Sequence, residues 1–189
     1  MNRARQALSA ACLAIAALGL SSPTTAETQP VLELSKATLG AAQTPQLEQL
    51  GRSSFYVSIF HVYDAELWTP ATGFAWDDPF RLKLTYARKI KAEQLVNTSL
   101  KEMARVFDGE VEDFETLRAP LASCFRDVKK GDVIEGVSEG RSAALFYYNG
   151  EETCRLDLPE ASYQFFSVWL SERSRSPKQT RRLLGRSKR

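Results

Sequence analysis

The chain has 189 residues, of which 25% are charged and 43% apolar, and its formal net charge is +2. This length suits one domain with a real hydrophobic core. A single histidine and no paired-ligand spacing leave a zinc site without support, and the sequence has no CxxC motif for thiol redox chemistry. It also shows no nucleic-acid-binding motif, so DNA or RNA binding is not expected.

Residues 1–26 read as a secretory signal peptide. Arg3 and Arg5 precede an apolar run from Leu8 to Leu20, and small residues follow up to Ala26. This order is typical of a signal peptide, and the run is too short to span a membrane comfortably. We therefore expect cleavage after Ala26 and a periplasmic or secreted protein. Without the two arginines, the 25 basic residues become 23, which equals the number of acidic residues.

A leader segment with room for one edge strand is expected over residues 27–45, and the folded domain over residues 46–189. Residues 51–68, GRSSFYVSIFHVYDAELW, are rich in aromatic and β-branched side chains and predict one long strand. The odd-numbered and the even-numbered residues of this strand, which form its two faces, both include apolar side chains. One face is therefore expected to pack on a core, and the other to line a second layer or a cleft.

Polar side chains on this stretch suggest a binding role. Arg52 lies at the start of the strand, and His61 and Tyr63 lie among the odd-numbered residues, which form its mainly apolar face. A guanidinium beside a tyrosine in apolar surroundings suits an anionic head group, because it can bind a carboxylate through two hydrogen bonds. The alternative is that Arg52 marks an exposed strand start and that Tyr63 is a core residue.

The remaining elements follow from changes in hydrophobic period and from turn residues. In chain order we first predict a loop at 69–79, a strand at 81–90 and a helix at 91–107 that is closed by Asp108-Gly109. A helical segment at 111–127, divided near Pro120, and a turn at 129–132 come next. Two strands then lead to an Asn149-Gly150 hairpin, followed by a strand at 151–158, a helix opened by Pro159 and a last helix from Ser176-Pro177 to Gly185. Grouped helices beside a mainly antiparallel sheet indicate an α+β fold.

Two further features leave alternatives open. Cys124 and Cys154 remain after processing, and in an oxidising compartment they either form a disulfide or stay as buried thiols. From Arg173 to Arg189 there are eight basic residues and no acidic one. This basic end either contacts an anionic membrane peripherally or is a solvated helix with a frayed terminus.

The order of several motifs resembles the chalcone isomerase-like superfamily, and most closely its bacterial exported branch. The motifs are GRSSFYVSIFHVYDAELW, an alternating strand, an Asn-bearing helix, KKGD, the YYNGE hairpin and a terminal FFSVWLS followed by LLG, over about Leu47 to Gly185. The resemblance implies an open-faced β-sandwich, in which helices are layered on a large antiparallel sheet, with an apolar cleft between the two layers.

The superfamily includes plant isomerases that cyclise chalcones and plastid proteins that bind fatty acids without catalysis. The resemblance makes Arg52 the residue that faces an anionic group, and Tyr63 matches the fatty-acid binders where the isomerases have threonine. Asn97, with Thr98 beside it, can occupy the helical asparagine position. The isomerases carry a tyrosine seven residues earlier, where this chain has Ile90. The loss of that hydroxyl speaks against cyclisation.

The resemblance therefore favours an exported, non-catalytic binding protein for a fatty acid or similar amphiphilic carboxylate, with no cofactor. Arg52 and Tyr63 are expected to hold the carboxylate together, while the tail lies against the sheet and the helix bearing Asn97. His61 either contributes to this site or is structural. Two alternatives stay open, namely an isomerase or lyase of the chalcone isomerase type and a structural or interaction protein without a ligand.

Overall fold

The computed structural model describes residues 46–186. The signal peptide and the leader segment predicted from the sequence lie outside the described residues, as do the last three residues of the basic end. No helix within the described part of the chain is both long and apolar enough to cross a membrane. The strands are β1 (Glu48–Val57), β2 (Phe60–Thr69), β3 (Phe80–Tyr86), β4 (Val133–Ser138), β5 (Ala143–Tyr148) and β6 (Glu151–Asp157).

The helices fall into two groups, one between β3 and β4 and one after β6. The first group is α1 (Ala92–Phe107), a 3₁₀ helix (Val111–Leu117) and α2 (Arg118–Cys124), and the second is α3 (Ala161–Leu170) and α4 (Pro177–Leu183). The chain divides at Leu117, ahead of Pro120, because proline is tolerated in the first turn of a helix. The helix predicted at 91–107 is confirmed, and Asp108 ends it in the left-handed conformation.

Six antiparallel strands form one sheet in the order β1-β2-β3-β4-β5-β6, so each strand pairs with its neighbour in sequence. One row of paired residues crosses five strands and fixes which side chains share a face. That row is Leu67, Leu82, Gly136, Phe146 and Cys154. All helices of the described region belong with this face, where the core lies, and the predicted α+β fold is confirmed.

The prediction of one long strand over residues 51–68 is wrong, because β1 and β2 form a hairpin. Ser58 and Ile59 make its two-residue turn, and Ser58 has a φ of 55°. Such turns usually carry glycine or asparagine, so the sequence lacks the usual signal. The predicted Asn149-Gly150 turn has that signal and is confirmed, with φ values of 50° and 88°.

A β-bulge in this hairpin changes which side chains share a face. Tyr63 pairs with Phe55, but the next pair is His61 with Tyr56, so Val62 is an extra residue on β2. An inserted residue reverses the alternation of side chains along the strand. His61 and Tyr63 therefore lie on opposite faces of the sheet, and the predicted sharing of one apolar face is wrong.

Cys124 and Cys154 form a disulfide, which decides between the two alternatives that the sequence left open. The bond joins the end of α2 to β6, with the Cα atoms 4.9 Å apart. The linked residues are 30 positions apart in sequence. The bond therefore ties the first helix group to the last strand of the sheet.

Breaking this disulfide is expected to lower the free energy of unfolding by about 3–4 kcal/mol, because the open loop gains entropy in the unfolded chain. Chemical denaturation with and without reductant measures the change. The Cys124→Ser/Cys154→Ser variant is the control, and reductant should leave its stability unchanged. A wild-type curve that is insensitive to complete reduction would contradict the expectation.

Candidate functional site

A cavity of about 520 Å³ lies between the sheet and the helices α1, α3 and α4. Its volume falls within the usual range for small-molecule sites. Ser53 and Ala65 face each other across β1 and β2, and these two small side chains leave room beneath the helices. Much of the remaining lining is apolar and includes Leu82, Leu84, Ile134, Phe146, Phe165 and Phe166.

Tyr63 projects from β2 into this cavity. Its hydroxyl oxygen accepts a hydrogen bond from Trp169 Nε1 on α3 at 2.9 Å, and its ring stacks on Phe55 with centroids 5.0 Å apart. Burial raises the pKa of Tyr63 well above its ordinary value of 10, the bond from Trp169 opposes this rise, and the charge of Glu102 adds to it. The neutral hydroxyl keeps its own hydrogen to donate.

Tyr86 on β3 stands directly opposite Tyr63, and the two rings meet edge to face with centroids 5.9 Å apart. Burial also raises the pKa of Tyr86 well above 10, and the neighbouring Tyr63 adds to the rise. Within residues 46–186, the buried Ser53 Oγ has no hydrogen-bond partner, and both Ser53 and Tyr86 line the cavity. Unpaired buried polar groups are uncommon, so the Ser53 hydroxyl suggests a polar contact to a ligand.

Basic side chains surround the mouth of the cavity. Arg88 and Lys89 follow β3, Lys101 lies on α1, and Arg175 precedes α4. Of these four, only Arg175 makes an ion pair within the described part of the chain. The mouth therefore carries an excess of positive charge, which favours an anionic group.

The partner of Arg175 is Glu102, a nearly buried carboxylate on α1. Arg105 Nε also binds Glu102, at 2.8 Å, so two guanidinium groups share one carboxylate. A buried carboxylate left without a partner would be costly. Because Arg105 remains in place, Arg175 can turn to a second carboxylate without leaving Glu102 unpaired.

The structure does not bring Arg52 and Tyr63 together. Arg52 pairs with Glu66 across β1 and β2 and is exposed on the face opposite the helices, near Asp64 and Arg182. Tyr63 lies on the helix-facing side. The predicted joint grip of Arg52 and Tyr63 on one carboxylate is therefore wrong in its geometry, because the pairing register separates the two side chains.

His61 also lies away from the cavity. Its Nε2 is 3.1 Å from Asp64 Oδ1, and its ring stacks on Tyr56 with centroids 4.9 Å apart. The same Asp64 oxygen accepts a hydrogen bond from Ser54 Oγ at 2.6 Å. The bulge at Val62 places His61 in this polar group on the open face of the sheet. Of the two roles that the sequence left open for His61, this position agrees with the structural one.

Asn97 and Thr98 point in different directions from α1. Asn97 Oδ1 accepts a hydrogen bond from Arg118 Nη1 at 2.5 Å and does not line the cavity, whereas Thr98 lines its outer edge. Of the five residues proposed from the sequence to bind a ligand, only Tyr63 and Thr98 border the cavity. A ligand-binding role for any of the five stays a prediction.

Sequence reasoning missed Tyr86, Ser53 and the basic mouth. Tyr86 shares the apolar parity of its strand with Leu82 and Leu84, so this pattern placed it on the covered face. Ser53 and Arg175 carried no comparable signal. Their positions depend on the hairpin register and on the path of the chain between α3 and α4, which are tertiary features.

Tyr63 and Tyr86 should make the free energy of unfolding depend on pH in the alkaline range. Folding raises the pKa values of both tyrosines, so above about pH 10 the unfolded chain loses these protons before the folded protein does. The contribution of the two tyrosines to the free energy of unfolding is therefore intact below about pH 10 and is lost as the pH rises further. Each tyrosine adds a slope of about 1.4 kcal/mol per pH unit. Urea denaturation of wild type and Tyr63→Phe/Tyr86→Phe should show the difference shrinking above pH 10. A constant difference would contradict this.

Comparisons with known proteins support the fold but not a family. No protein-family model matches the chain, and no curated protein sequence matches it. Among solved structures, the chain is similar to the crystal structure of a fatty-acid binding protein from Arabidopsis thaliana, with a TM-score of 0.59 and 9% sequence identity. The match covers 74% of this chain and 87% of that one. The likeness shows that this chain has the chalcone isomerase-like fold, an open antiparallel sheet with helices layered on it.

Proposed function

We propose that this protein binds a fatty acid or similar amphiphilic carboxylate in the cavity between the sheet and the helices. The observation that carries the proposal is a largely apolar cavity of about 520 Å³ with a basic mouth. An apolar chain inside it gains about 0.8 kcal/mol for each buried CH₂ group. The structural neighbour from Arabidopsis thaliana, itself a fatty-acid binding protein, supports the same ligand class.

The carboxylate of the ligand fits best at the mouth, where water still reaches it. A carboxylate buried deep among apolar side chains would lose its hydration without compensation. Arg175 is paired with Glu102, and Arg175, Glu102 and Tyr63 all line this cavity. In the proposal, Arg175 supplies a charge-assisted hydrogen bond and Tyr63 a neutral one.

The isomerase alternative has less support. Ile90 forms a backbone bridge with Val128 and offers no hydroxyl. Asn97 is bonded to Arg118 and does not line the cavity. The positions that would correspond to the isomerase tyrosine and asparagine therefore do not meet in the cavity, and a binding role is the simpler proposal.

We also propose that the protein is exported. The basis is the charge order and cleavage pattern of residues 1–26, and the bond between Cys124 and Cys154 is consistent with an oxidising compartment. N-terminal sequencing of protein recovered from outside the cytoplasm should begin at Glu27. An intact Met1 on that material would contradict the proposal.

Two arginines on opposite faces of the sheet provide a matched test of the carboxylate site. Arg175→Gln should weaken binding of a long-chain fatty acid by about ten-fold or more, because a charge-assisted bond contributes roughly 1.5–3 kcal/mol and 1.4 kcal/mol is a factor of ten. Arg52→Gln should leave the affinity unchanged, because Arg52 lies outside the cavity. Isothermal titration calorimetry measures both.

The methyl ester of the same acid is the ligand control, and it should bind more weakly and respond little to Arg175→Gln. Leu95→Trp narrows the cavity and should weaken binding of both acid and ester, whereas Val137→Trp places a tryptophan on the open face and should not. Equal affinities for acid and ester would refute the carboxylate site. Unchanged binding by folded Leu95→Trp would refute the cavity as the site.

A further inference from the structure

The turn between β1 and β2 carries an exposed apolar surface. Its four side chains, called the hairpin tip below, are Tyr56, Val57, Ile59 and Phe60, and they are 52%, 53%, 83% and 58% exposed. Single exposed apolar residues are ordinary on protein surfaces, but four of them within residues 56–60 suggest an interaction site. Because Ile59 sits in the turn and is the most exposed of the four, the tip projects from the protein.

Two cations accompany this tip. The Arg88 guanidinium lies over the Phe60 ring, 5.6 Å from its centroid, and Lys89 beside it is exposed. Neither makes an ion pair within residues 46–186, whereas nearby Lys91 is bound to Asp127 at 2.6 Å. Apolar side chains flanked by uncompensated cations match a membrane interface that contains anionic lipids.

The acidic groups near the tip do not cancel this charge. Asp64, on the open face, accepts a hydrogen bond from Ser54 and contacts His61. Asp127 is held by Lys91 and by the backbone N–H of Ala92, and the charge of Lys89 also acts on it. Arg88, Lys89 and Lys91 are three cations against these two carboxylates, so the surroundings of the tip keep a net positive charge.

The tip also adjoins the cavity. Val57 at the end of β1 and Val62 on β2 line it, together with Arg88 and Lys89. A surface that held the tip would therefore lie beside the cavity mouth. An amphiphile leaving a membrane at this point would have a short path into the cavity.

We propose that the hairpin tip docks the protein on membranes that contain anionic lipids. The tip side chains enter the boundary between head groups and acyl chains, and Arg88 and Lys89 bind lipid phosphates. Charge complementarity selects this partner, because an uncharged surface would leave both cations unused. The docking surface goes beyond the proposed ligand site and does not depend on it.

Co-sedimentation of the full processed chain with vesicles tests this docking. Wild type should bind vesicles of phosphatidylcholine with phosphatidylglycerol more tightly than vesicles of phosphatidylcholine alone, and added salt should weaken the difference. Ile59→Ser/Phe60→Ser should reduce binding at least ten-fold, because two large apolar side chains are lost. Arg88→Gln and Lys89→Gln should each reduce it about five-fold.

A matched control changes cations elsewhere. Lys178→Gln/Arg181→Gln removes two exposed charges from α4, in the basic end, and should change vesicle binding less than two-fold. Circular dichroism confirms that each variant is folded, and fatty-acid calorimetry on the tip variants shows whether the cavity remains intact. Brominated lipids should quench the added tryptophan fluorescence of Ile59→Trp. This variant reports insertion and keeps an apolar side chain at the tip.

Three results would overturn the docking. One is the absence of binding by wild type to anionic vesicles, and another is a larger loss in the α4 variant than in the tip variants. The third is a wild-type protein that is dimeric and becomes monomeric in Ile59→Ser/Phe60→Ser, with vesicle binding unchanged. That result would make the tip an interface between two copies of the chain. A wild-type protein that binds vesicles but does not bind fatty acid would count against the ligand site alone.

Discussion

The separation between the sheet and its helix layer is the constraint on which the rest of the structure depends. On β4 the layer is held close, because a Cβ on Gly136 would lie 2.8 Å from the Phe166 ring. The glycine therefore lets this ring of α3 pack directly on the sheet. The disulfide between Cys124 and Cys154 anchors α2 on the same side. Near β1 and β2, the small pair Ser53 and Ala65 leaves the space unfilled, and the cavity results.

The distribution of polar groups gives this cavity a direction. Its interior is lined mainly by apolar side chains, and its cations gather at the mouth. Both Arg105 and Arg175 bind Glu102, so this carboxylate keeps a partner when Arg175 contacts a ligand. Tyr63 and Tyr86 have raised pKa values and so remain neutral donors over the physiological range of pH. An amphiphile with an anionic end matches both parts of this arrangement.

The sequence predicted most of the fold because most elements have strong local signals. The alternation in β3, the apolar stripe of α1 and the Asn149-Gly150 turn each identify an element without tertiary information. The β1–β2 hairpin was missed because Ser58 takes a positive φ with neither glycine nor asparagine at the turn. The wrong placement of His61 has the same origin, since the bulge at Val62 reverses the alternation of side chains.

The candidate site was predicted less well than the fold. Tyr63 and Thr98 lie at the cavity, but Arg52 does not, because its pairing with Glu66 places it on the open face. A resemblance in the order of motifs carries no information on such a register. Arg175 was missed because its position depends on how the segment between α3 and α4 crosses the mouth. Pairing registers and chain crossings depend on distant contacts, and a local pattern does not encode them.

The central claim is that the apolar tail of the ligand lies between the sheet and the helices. The most direct measurement is isotope-filtered nuclear Overhauser spectroscopy with a fatty acid carrying a ¹³C-labelled terminal methyl group. The account predicts contacts from that methyl group to the side chains of Leu84 and Ile134, which line the cavity. Contacts instead to Val137 and Leu145, which pair on the open face of the sheet, would contradict it.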